Sequence, residues 1–159
     1  MTEALRLLQE NLDGAQRTAI RLRRSLAKVS SLSPFTAQVV AGFDPDQQDT
    51  VDAFLKRFEQ LADTLGLTLF KGVAILEQED VARLSRRDLS DLMEKLGAIA
   101  SADDWGRVTV LRNRLAHGYP ADPARQASRL QEALDLTPVA LAALDALSAY
   151  VARRAPPPE

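Results

Sequence analysis

Leu5, Leu8, Leu12, Ala15, Ala19, Leu22, Leu26 and Val29 follow one another at alternating steps of three and four residues without a miss. That spacing keeps every one of them on a single stripe of an α-helix and on no face of a strand. The chain therefore begins with a long amphipathic helix that has to be covered by others. Thr2 is placed to cap its N-terminus, and Gly14 costs about 1 kcal/mol without disturbing the period. Ser30-Ser31-Leu32-Ser33-Pro34 is expected to end it, since serines followed by proline disfavour continuation. Its outer face carries Arg17, Arg21, Arg23, Arg24 and Lys28. Such a row can touch phosphate, but is more often a solvated helix face.

The same period recurs downstream. Asp44-Pro45 reads as an N-cap followed by a first-turn proline, opening a helix whose inner face is Val51, Phe54, Leu55, Phe58, Leu61 and Leu65. Gly66 is expected to break or bend it before Leu69, Phe70, Val73 and Leu76 continue the face. Ser85 with Asp88 forms a weak capping box for a third helix closed by Gly97. Ser101 with Asp104 starts a fourth. Asp122-Pro123 starts a fifth that reaches Arg153-Arg154, with a kink or restart at Thr137-Pro138. No window alternates as a strand would. The expectation is an all-α antiparallel bundle of about five helices in one domain, residues 1–154, with 155–159 (Ala-Pro-Pro-Pro-Glu) as a disordered tail.

Composition limits the chemistry. The 159 residues include no cysteine and a single histidine, His117, and sum to a net charge of -2. Thiol nucleophiles, disulfides and thiolate metal sites are excluded, as is a histidine cluster within one chain. Any reaction needing two imidazoles must take one from a second copy. The charge balance argues against coating nucleic acid by bulk charge, though a local basic surface is compatible with it. Glu3 stands where a signal peptide would carry basic residues, and the apolar run 138–144 is too short to span a bilayer. A soluble cytoplasmic chain without a membrane association and without metal or cofactor is expected.

The stretch from Trp105 to Pro120 carries the chemistry. On a helical wheel at about 100° per residue, Val108, Leu111 and Leu115 share an apolar arc that Trp105 and Ala116 extend. Arg112 projects at about 340°, inside that arc, whereas Arg107 and Arg114 lie opposite at about 200° and 180°. An arginine on a core-facing stripe needs a partner. It is either snorkelling at the helix edge, paired with a core carboxylate, or functional. Asn113 and His117 share a face, while Arg112 and His117 diverge by about 140° on a regular helix. Either the last turn unwinds before Gly118 and Pro120, or the arginine of one protomer meets the histidine of another. A symmetric dimer with this helix near its two-fold axis would bring two His117, two Arg112 and two Asn113 into one cleft. Paired imidazoles can divide general base and general acid work in RNA phosphodiester cleavage, and arginines can stabilise the phosphorane without a metal. Taken alone, His117 can equally be a C-terminal helix histidine that complements the macrodipole.

Arg112-Asn113, three residues, His117, one residue, Tyr119 resembles the Arg-x4-His-x-Tyr signature of the HEPN superfamily, in particular its HepT-like branch. Phe54-Leu55-Lys56-Arg57-Phe58 through Leu61, Asp63-Thr64-Leu65-Gly66 and Leu69-Phe70 is similar to the second helix of some members. The resemblance covers roughly residues 50–150. It implies a homodimeric, metal-independent endoribonuclease toxin acting on RNA, with Arg112 and His117 as the catalytic pair and Asn113 in support. It also implies a nucleotidyltransferase antitoxin of the MNT type that adenylylates Tyr119. Gly118 departs from members with a larger residue there. The sequence leaves two other readings open: a non-enzymatic helical subunit that docks the nucleotidyltransferase, and a structural helical protein with no site.

Overall fold

A computed structural model describes residues 2–118 and 120–156, and among these it is all-helical. α1 spans Glu3–Ser30, with the Thr2 hydroxyl accepting from the Leu5 N–H as its cap. Its stripe is buried from Leu5 to Leu22 and at Val29, but near the C-terminal end Ser25 is buried while Leu26 is only half-buried. A straight helix drifts relative to a 3.5-residue repeat, so the inward position slips by one residue over several turns. Ser25 is accommodated because Arg57 Nη1 donates to its hydroxyl at 2.9 Å.

α2 is a single short piece, Ala37–Ala41, capped by Thr36 and lying against the last helix. The sequence pattern does not foretell it, because only Val40 is buried and one residue makes no period. α3 (Pro45–Asp63) opens on a full capping box in which Asp44 and Gln47 exchange side-chain and backbone hydrogen bonds. At Gly66 the helix does not break. Residues Thr64–Leu69 form a π turn, with the Phe70 N–H reaching the Leu65 carbonyl, and α4 (Phe70–Leu76) continues directly. The wide turn inserts one residue and so keeps Leu65, Leu69, Phe70 and Val73 all inward.

After a short 3-10 turn, Val81–Arg83, α5 spans Arg86–Leu96 behind the expected Ser85/Asp88 box. The Asp88 carboxyl is held below its ordinary value of 3.8, first by the Ser85 backbone N–H and then by the Ser85 side chain. Gly97, at φ 77°, ends the helix in the left-handed region. α6 spans Ala102–Ala116, and α7 spans Pro123–Arg154. Pro138 lies inside α7 without restarting it. The Thr137 hydroxyl bonds back to the Ala133 carbonyl at 2.7 Å, next to the carbonyl that proline leaves without its N–H.

The bundle is therefore six helical rods rather than about five, counting α3, the π turn and α4 as one. α1 packs on α3, α4 and α7, while α6 packs on α3, α5 and α7. One continuous core runs through them, centred on Phe54, Phe58, Phe70, Leu111 and Leu144. α7 is long and apolar enough to cross a membrane by length and composition, and half of that apolar window is buried inside the bundle. Its far end is fastened to α4 by Glu77, which accepts from the Tyr150 hydroxyl at 2.8 Å and from Arg154 Nε at 2.7 Å.

Candidate functional site

α6 carries the residues singled out by spacing. Trp105, Val108, Leu111 and Leu115 are buried on one face, Ala116 at the edge of the expected arc is exposed at the helix end, and Arg107, Asn113 and Arg114 are exposed on the other face. The two outer arginines are spent on surface pairs, Arg107 with Asp104 at 3.0 Å and Arg114 with Glu132 of α7 at 3.7 Å.

Arg112 has the carboxylate partner that its position on the apolar arc demanded. Its Nε and Nη2 donate to the two carboxylate oxygens of Asp63 at 2.5 and 2.8 Å, a bidentate pair bridging α6 to the last residue of α3. Both side chains are about one-third exposed or less, at 27% and 35%. The Asp63 hydrogen bond pushes the guanidinium's pKa further up, and the charges of Asp63 and Glu59 add to it, so Arg112 is a permanent cation. Among the described residues its Nη1 amine bonds to nothing, so one edge of the fork is fixed and the other is free. Asp63 is the site residue that spacing on α6 could not supply. It sits on another helix, and its signal is a carboxylate beside the apolar face of α3, one turn after Glu59.

His117 is the C-cap of α6 (φ -83°, ψ 7°), with its backbone N–H donating to the Arg114 and Leu115 carbonyls. Gly118 follows at φ 103°, a conformation that a side chain would strain, and its N–H closes on Leu115 at 3.2 Å. Glycine there is thus what turns the chain out of the helix directly after the histidine. The imidazole is exposed and, among the described residues, makes no hydrogen bond or ion pair. α6 runs as an α-helix through Ala116, so the chain does not unwind before the histidine, and on a helix of this pitch positions 112 and 117 lie about 140° apart. Asn113 and His117 do share the outer face, together with Val110, an exposed apolar side chain. Tyr119 lies outside the described residues, as do 157–159 of the expected tail.

On one side of the Arg112–Asp63 pair is a cavity of about 140 Å³ floored by Phe70 and Trp105, whose ring centroids are 5.0 Å apart. Further back along the same face of α3 a more open groove runs past Asp52, Lys56, Glu59 and Leu115. No protein-family model matches this chain, and no curated protein or solved structure matches it either.

Proposed function

We propose that the chain is a metal-independent endoribonuclease of the HEPN type whose active site is completed by a second copy. The observation that carries the reading is the division of labour along α6. A guanidinium is clamped on one edge by Asp63 with its other edge free, and an exposed imidazole is presented at the end of the same helix, on a different face by helix geometry. A single chain has one imidazole, and cleavage through the 2′-hydroxyl uses two. Pairing α6 with its copy along the stripe Gly106, Val110, Asn113 and His117 would gather both histidines near the two-fold axis with an Arg112 to either side. Val110, 48% exposed, is the apolar anchor of that face.

In this reading one His117 accepts the 2′-hydroxyl proton as the 2′-oxygen attacks phosphorus. The other, protonated, donates to the departing 5′-oxygen, so that the products are a 2′,3′-cyclic phosphate and a 5′-hydroxyl. Arg112, orientated by Asp63, stabilises the charge that develops on the phosphoryl oxygens. Asn113, one turn before His117, supports the imidazole. The site would act on cytoplasmic RNA and be silenced by an MNT-type nucleotidyltransferase that adenylylates Tyr119. The test is incubation of purified protein with RNA in EDTA. Cleavage with cyclic-phosphate ends and a dimer by sedimentation at micromolar concentration are expected. Intact RNA, or a monomer, contradicts the reading.

A second reading has its own support. Asp63 fully occupies one edge of Arg112, and Asp52 and Glu59 line the neighbouring groove, which weakens that surface's attraction for phosphate. That favours a helical subunit that docks a nucleotidyltransferase without cutting RNA. It predicts a stable complex and modification at Tyr119 with no cleavage by the free chain.

A further inference from the structure

The cavity beside Arg112 has features that the cleavage reading does not use. Its volume, about 140 Å³, is close to the roughly 150 Å³ of an apolar cavity that accommodates one benzene ring. Trp105 forms its wall and is only 5% exposed. Among the described residues the indole N–H donates to no acceptor, although it is not sealed from solvent. It faces Gly66, where an added Cβ would stand 3.5 Å from Cζ2 and 4.0 Å from Nε1 of the ring. Its N–H is open to solvent beside a ring-sized space, so a ligand that carries an acceptor can take the place of water there.

The rim supplies positive charge that is not already spent. Arg87 is occupied by Asp91 and Asp103, but Arg86, at the first turn of α5, is exposed and has no ion pair among the described residues. Arg112 also lines the cavity, its Nη1 without a hydrogen bond among the described residues, beside the Asp63 carboxylate that holds its other edge. A bare inorganic anion would leave the ring-sized floor empty, and a neutral ring would leave both guanidinium groups unused. We infer that this cavity binds a pyrimidine nucleotide, the six-membered base against Trp105 with a ring carbonyl accepting from the indole N–H, and the phosphate between Arg86 and Arg112. A purine exceeds the space that one ring fills. The inference rests on the ribonuclease reading only in taking an RNA strand as the source of the nucleotide. Binding itself requires neither His117 nor a second chain.

Trp105 is the sole tryptophan of the sequence, so its fluorescence reports directly on the cavity. The full-length protein is titrated with uridine 3′-monophosphate, uridine, inorganic phosphate, guanosine 3′-monophosphate and a short oligouridylate. Saturable quenching by uridine 3′-monophosphate is expected, with uridine, phosphate and the purine nucleotide each at least roughly tenfold weaker. Tighter binding of the oligouridylate points to a strand as the source, and equal binding to the free nucleotide. Gly106→Leu fills the opening without a backbone clash, since its Cβ would lie 3.7 Å from Arg87 Nη1, and Arg86→Ala removes the free cation from the surface. Each should weaken binding at least roughly tenfold while the circular dichroism is unchanged. Quenching by uridine 3′-monophosphate without any RNA cleavage would support the cavity and remove the nuclease reading. Absence of saturable quenching, equal binding of phosphate alone, or unchanged binding in Gly106→Leu overturns the proposal.

Discussion

Replacing His117 by alanine is expected to lower the rate of RNA cleavage by roughly 10²- to 10⁴-fold, the span that a positioned general acid or base contributes. The fold should not notice. The imidazole is exposed, the helix ends through backbone bonds from residues 117 and 118, and a surface change of this kind shifts stability by about 0.5 kcal/mol or less. Thermal unfolding and cleavage therefore separate cleanly in this variant. A rate loss accompanied by an equal loss of folded protein would assign His117 a structural role. An unchanged rate with the fold intact would remove it from the chemistry altogether. Because each chain holds one histidine, no other side chain of that type can substitute.

Phe58→Ala is expected to cost about 3–5 kcal/mol, the usual range for deleting a buried phenylalanine ring. Phe58 has 0% exposure and lies in the C-terminal half of α3, within the core that α1 and α6 close over. Helices on several sides limit how far the site can collapse, so the lost contacts are compounded by the void left behind. For a chain of this length the melting temperature should fall by roughly 10 °C. Leu67→Ala is the matched control, since Leu67 is 39% exposed on the π turn and should change stability far less. Urea unfolding of both variants measures the difference. A loss below about 1 kcal/mol for Phe58→Ala would mean that the packing described around α3 is wrong.

How much of this was readable from the sequence follows from the range of each interaction. Thr2, Asp44, Ser85, Ser101 and Asp122 cap helices through bonds to residues two or three positions away, so local spacing finds them. Gly97 was readable for the same reason. The buried faces of α1, α3 and α6 were readable because period alone selects them. The behaviour of Gly66 and Pro138 was not, because both permit a break and neither enforces one. Packing on either side holds the rod together through a π turn in one case and through an uninterrupted helix in the other. The Arg112–Asp63 pair joins residues 49 positions apart. The wheel showed that Arg112 needed a partner, and only the crossing of α6 over α3 shows which. The indole of Trp105 read as core, which it is, but the cavity beside it becomes visible only once the neighbouring rods are in place.

The central claim is that one active site needs two chains, and subunit mixing tests it most directly. Wild-type and His117→Ala chains are unfolded together in equal amounts, refolded, and assayed for RNA cleavage in EDTA. If both histidines of a dimer serve one cleft, only the wild-type homodimer is active, and the mixture retains roughly a quarter of the activity of the same total amount of wild-type protein. Retention of roughly half, in proportion to the wild-type chains present, would show that each chain works alone and would contradict the composite site.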